Sequence, residues 1–126
     1  MFKNPEELKY SKTHEWVKQD GDLFVIGLTD YAQDALGDIV FVNLPSVGDE
    51  VVMSSALGDV ESVKAVSDVF SPVSGKVVEV NEEVIDNPAL VNEDPYNAWL
   101  IKVGQVSESE QLLDHEAYEK VCEEEH

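Results

Sequence analysis

Residues 61–68 read Glu61-Ser62-Val63-Lys64-Ala65-Val66-Ser67-Asp68, and Ser71-Pro72-Val73-Ser74-Gly75 follows. The stretch sets one lysine between two small residues, Val63 and Ala65, in a chain whose formal net charge is −19. Strand-type sequence lies on both sides: "LGDVESV" runs up to Lys64 and "VSDVFSP" leads away from it. That pattern predicts a hairpin with the lysine at its tip. Pro72 and Gly75 then turn the chain back, with "SGKVVEV" as a further strand starting at Gly75.

Working outward, the same vocabulary of short strands and turns recurs. "EWVKQDGDLFVIGLT" carries β-type runs on either side of Asp20-Gly21, a dipeptide suited to a tight turn because glycine accepts positive φ. "DYAQDALG" predicts a short helix capped by Asp30, with Gln33 reaching back and Gly37 as its stop. "DIVFVNLP" is a strand closed by Pro45, "SVGDEVV" turns at Gly48-Asp49 into another, and "AWLIKV" is a late strand at about 99–103. The tail "SESEQLLDHEAYEKVCEEEH" predicts a helix over about 107–122, with Ser107 and Glu110 spaced as a capping box. Its acidic end is unfavourable at a helix C-terminus, so fraying is expected there. An internal echo stands out. "VNLPSVGDEV" and "VFSPVSGKVV" share strand, proline, two residues, glycine, polar residue and valine, and they flank Lys64. Together these signals give one mostly-β domain over 1–126, a sandwich or small barrel core at about 10–104 with short helices and a C-terminal helix.

Composition narrows the function classes. Twenty-seven acids against eight lysines and no arginine make nucleic acid and anionic lipid poor partners. The longest apolar runs are far too short to cross a bilayer. The N-terminus lacks both an apolar signal core and an Arg-rich transit pattern, so a prokaryotic cytoplasmic location is expected. Cys122 is the single cysteine and falls on the apolar stripe of the last helix, which predicts a packed thiol rather than a nucleophile. His14, His115 and His126 have no metal-ligand spacing. Trp16 and Trp99 read as core or rim packing.

Lysines are mostly solvated, so Lys64 needs a reason to be singled out. A Schiff-base amine requires a depressed pKa, yet the near charges are Glu61 and Asp68, which favour the protonated form. The remaining chemistry is covalent attachment: an amine on a stiff, unobstructed bend is open to amidation.

"ESVKAVSD…SPVSGKVVEVNEEV" resembles the lipoyl-lysine segment of the glycine cleavage system H proteins. "KYSKTHEWV", "GLTDYAQDALGDIVFVNLP", "NPALVNEDPY" and "LLDHEAYEKV" resemble that family in the same order, over nearly the whole chain. Ala98 departs from the family, which places glycine before this tryptophan. The resemblance implies a hybrid barrel-sandwich of the lipoyl/biotinyl-carrier type, with lipoate amide-linked to Lys64 and Val63, Ala65, Pro72 and Gly75 supporting the hairpin. It implies a non-catalytic carrier of the aminomethyl group of glycine. The partners would be a pyridoxal-phosphate glycine decarboxylase, a tetrahydrofolate-dependent aminomethyltransferase, an FAD-dependent dihydrolipoyl dehydrogenase and a lipoate-attaching enzyme. The cargo hydrolyses in water, so a cleft that folds the arm back is expected. Glu15 and Asp68 are the candidate acceptors for its charged amine, with Tyr31, Ala32 and Leu36 as the apolar wall. A lipoyl-relay donor uses the same lysine and stays open; a biotin carrier is disfavoured because methionine commonly flanks the lysine there.

Overall fold

The computed structural model describes residues 2–125. In chain order the strands are β1 (Lys9–Tyr10), β2 (Glu15–Asp20), β3 (Leu23–Leu28), β4 (Ile39–Asn43), β5 (Glu50–Val51), β6 (Ala56–Ser62), β7 (Val66–Phe70), β8 (Val73–Val80) and β9 (Ile101–Ser109). The helices are α1 (Asp30–Leu36), α2 (Glu82–Asp86), α3 (Ala89–Glu93) and α4 (His115–Glu125). Among the described residues the strands form two antiparallel sheets, a six-stranded one ordered β1-β2-β3-β9-β8-β5 and a three-stranded one ordered β4-β6-β7.

The echo flanking Lys64 has a topological meaning. β4 and β7 lie on either side of β6 in the small sheet, and each then leaves through a proline, Pro45 or Pro72, to enter the large one as β5 or β8. Those two strands pair with each other, Glu50 opposite Lys76 and Val51 opposite Gly75. The two similar segments thus tie both sheets together beneath the lysine hairpin. The core fills the space between the sheets: Ile26, Val60, Val69, Val73, Ile101 and Val103 are fully buried. Each such aliphatic side chain contributes roughly 1.5–3 kcal/mol relative to exposure. A second cluster gathers Tyr10, Trp16, Tyr118 and Cys122 where α4 covers β1 and β2.

Several details differ from the sequence reading. Gly75 lies inside β8 rather than at a turn, since a Cβ there would stand 2.6 Å from the Gly104 carbonyl oxygen on β9. Glycine is kept there by the close approach of two strands. β6 ends at Ser62, two residues before the lysine. The N-cap of α1 is Thr29, whose side chain accepts from the Ala32 amide at 3.2 Å. Asp30 instead receives Gln33 Nε2 at 2.8 Å. Ser107 does not open a helix, because β9 runs through it to Ser109, paired with Val73 on β8. α4 starts at His115, where Asp114 accepts from the Ala117 amide at 2.8 Å. It runs to Glu125 and is tied at that end, as Glu125 meets His14 Nε2 at 3.0 Å. His126 lies outside the described residues.

Candidate functional site

β6 and β7 are joined by the three residues Val63, Lys64 and Ala65. Ser62 organises this turn. Its amide donates to the Ala65 carbonyl at 2.8 Å, and its hydroxyl oxygen accepts from the amides of Lys64 and Ala65, each at 3.1 Å. The Val63 amide donates to the Asp38 carbonyl at 3.0 Å, fixing the turn to the corner between α1 and β4. Gly37 at that corner has φ +78°, which disfavours any side chain. A Cβ on it would lie 3.3 Å from Lys64 Cε, so the corner leaves clearance for the lysine stem. Lys64, Val63 and Ala65 are all exposed. Pro72, in contrast, is buried at the root of the hairpin.

A cavity of about 140 Å³ opens beside the hairpin. Glu15, Tyr31, Ala32, Leu36 and Asp68 all line it, from β2, α1 and β7. Lys64 does not. It lines a neighbouring groove with Phe2, Asp34 and Glu125, and the two depressions meet at Tyr31 and Ala35.

Glu15 is the unusual member, only 1% exposed. Oε1 accepts from Ser11 Oγ at 2.6 Å and from Thr13 Oγ1, while Oε2 has a single hydrogen-bond partner among the described residues, the Phe70 amide at 3.3 Å. The carboxyl thus bridges the two sheets and leaves acceptor capacity on Oε2. Burial is the main cause that pushes its pKa up from 4.5 to about 7; the bonds from Ser11, Thr13 and Phe70 pull the other way, and Glu110 adds a little repulsion. Asp68 is exposed at the mouth. The cavity thus has one buried carboxyl and one exposed one.

The sequence reading missed Ser11, Thr13 and Ser67. The two hydroxyls at 11 and 13 belong to a tight return in which the Ser11 amide donates to the Glu15 carbonyl at 2.9 Å and His14 takes φ +76°. Nothing in a lone Ser-x-Thr spacing announces a carboxylate clamp. Trp16 is buried as expected, its Nε1 donating to the Pro95 carbonyl at 3.0 Å. Trp99 is half-buried at the rim, with Lys102 Nζ 4.7 Å from its ring centre.

A profile of the Glycine cleavage H-protein family matches residues 8–125 of the chain. The chain belongs to that family. It is 60% identical to the "Glycine cleavage system H protein" of Carboxydothermus hydrogenoformans over 124 residues, covering 96% of this chain and 95% of that one. It is 55% identical to "Glycine cleavage system H protein 2, mitochondrial" of Arabidopsis thaliana, covering 95% of this chain and 79% of the relative. The crystal structure of a glycine cleavage system H protein from Mycobacterium marinum superposes with a TM-score of 0.87 at 41% identity, covering 92% of this chain and 96% of the other. The barrel-sandwich expected from the resemblance is the fold observed. Membership assigns the chain the family's role, a lipoyl-carrying shuttle whose partners are other components of the glycine cleavage system. Among the described residues no helix is long and apolar enough to cross a membrane.

Proposed function

We propose that Lys64 is the lipoyl attachment point and that the cavity between β2, α1 and β7 shelters the loaded arm. The observation that carries this reading is the pairing of an exposed amine on a rigid three-residue bend with a buried carboxyl in the adjoining cavity. The residues present suit the group: Gly37 clears the stem, Tyr31, Ala32 and Leu36 offer apolar surface, and Glu15 Oε2 has room for a donor. When attached, lipoate supplies a dithiolane whose sulfurs take up the aminomethyl group, yield it and are reoxidised. The tether spans about a dozen ångströms when extended.

The chain's own residues hold and hide the cargo. Asp68 attracts the cationic amine at the mouth, and Glu15 accepts from it inside, its Oε1 kept in place by Ser11 and Thr13. α1 covers the apolar part and excludes the water that hydrolyses the cargo. The protein itself is non-catalytic in this reading. Its partners are the pyridoxal-phosphate decarboxylase, the tetrahydrofolate-dependent aminomethyltransferase, the FAD-dependent dihydrolipoyl dehydrogenase and a lipoate-attaching enzyme.

Intact-mass analysis with peptide mapping after co-expression with a lipoate ligase tests the attachment. One lipoyl increment on the Lys64 peptide, abolished in Lys64→Arg, is the expected result. Modification of another lysine, or none, rejects it. Converting Glu15 and Asp68 to amides tests the shelter: the cargo's lifetime on the carrier shortens, and an unchanged lifetime rejects the role of both acids.

A further inference from the structure

Tyr118 lies on α4, far along the chain from the cavity, and is fully buried. Its ring stacks on Tyr10, with centroids 4.6 Å apart and an interplanar angle of 9°. Its hydroxyl meets two residues that shape the cleft: His14 Nδ1 at 2.7 Å and Thr29 Oγ1 at 2.7 Å. His14 lines the cavity beside Glu15 with a left-handed φ of +76°, which a residue with a Cβ holds only when its surroundings fix it. Its ring also stacks on Tyr31 of the opposite wall at 4.6 Å. Thr29 is the N-cap of α1, which carries that wall.

The contacts are continuous with others on both sides. Thr29 Oγ1 also accepts from the Ala32 amide, which ties the same oxygen to the first turn of α1. His14 Nε2 faces the Glu125 carboxylate at 3.0 Å, so the ring is held at both nitrogens. Thr29, Tyr118, His14 and Glu125 thus form one continuous hydrogen-bonded chain from the start of α1 to the end of α4. Burial pushes the Tyr118 ionisation far up, so the phenol stays protonated and keeps its place in this chain.

We propose that Tyr118 is a positioning residue for the arm cleft: one buried hydroxyl holds the His14 side and the α1 side of the cavity together, making the C-terminal helix part of the shelter. This rests on the reading that the cavity protects the loaded arm.

The test uses the full-length lipoylated protein with its arm reduced. Formaldehyde and ammonium ion load one thiol. C–S and C–N bonds form, the thiol proton and one proton of the ammonium ion leave with the carbonyl oxygen as water, the product carries the single positive charge, and no oxidant is needed. Hydrolysis is the reverse and is followed as formaldehyde release after the excess is removed, with a free lipoyl-lysine peptide giving the unprotected rate. Tyr118→Phe keeps the stacked ring and removes one oxygen. It speeds release roughly three- to tenfold, the scale of one hydrogen bond, and leaves the rate of lipoylation at Lys64 unchanged. Thr29→Ser keeps the bonded oxygen and releases at the wild-type rate. Val77→Ala, a buried change that does not line the cavity, lowers the melting temperature without speeding release. In the unmodified protein, Tyr118→Phe also moves the His14 ring ¹⁵N signals and speeds amide exchange at Ala32. Thr29→Val breaks the same chain from the helix side and carries the test if Tyr118→Phe does not fold. Release from Tyr118→Phe at the wild-type rate, or an equal acceleration in Val77→Ala, overturns the proposal. If the wild type releases as fast as the free peptide, the shelter reading fails before any variant is compared.

Discussion

Glu15 joins two sheets through a group that resists ionisation where it stands. Its pKa is about 7 in the folded protein, against an ordinary 4.5. Between those values the native state binds more protons than the unfolded chain, so the stabilising contribution of Glu15 is complete below about pH 4.5 and is lost as pH rises through about 7. Glu15→Gln removes this dependence. Urea titrations should give a flatter stability–pH curve for the variant across that interval, and a stability about 1–3 kcal/mol above wild type at about pH 8. The same variant loses the acceptor that holds a cation, so its gain in stability should accompany a shorter cargo lifetime. Glu15 and Asp68 were legible through the family-like segments that contain them. The roles of Ser11 and Thr13 were not, because a hydroxyl's partner depends on a local return that residue type does not encode.

The lysine turn depends on Ser62. Replacing it with alanine removes the acceptor for two amides and loosens the bend, so the rate of ligase-catalysed lipoylation should fall by roughly three- to tenfold, while Lys64 stays the only modified residue. Gly58, further down β6, tests the pairing of the small sheet. A Cβ there would sit 2.1 Å from the Asn43 carbonyl oxygen, a backbone atom that cannot swing away. Gly58→Ala should cost more than ~2 kcal/mol in chemical denaturation. At this scale the hairpin at Asp20-Gly21, the strand β4 and the helix α1 were readable from alternation and turn chemistry. α2 and α3 were not, since each has only five residues, too few to display a helical period. The start of α4 was misread for a different reason. Ser107 and Glu110 form a plausible local cap, but pairing of Ser109 with Val73, far away in sequence, claims that segment for β9.

Across the whole molecule the charge of −19 opposes compaction and favours fast encounters with basic surfaces. Raising salt from about 10 mM to about 200 mM shortens the screening length from about 30 Å to below 10 Å. The melting temperature of the isolated protein should rise over that range, while stopped-flow association with a basic partner should slow by about tenfold or more. The two-sheet architecture was legible because prolines and glycines punctuate it so regularly; how α4 closes over β1 and β2 was not, because that contact joins opposite ends of the chain. The closure has a chemical corollary. Cys122 is buried on the inner face of α4, and burial raises its thiol pKa, so it is a poor nucleophile toward a disulfide. A carrier that presents a cyclic disulfide to other proteins thereby avoids scrambling with its own sulfur. Maleimide added to the folded, reduced holoprotein should label the two sulfurs of the arm and reach the third only after denaturation.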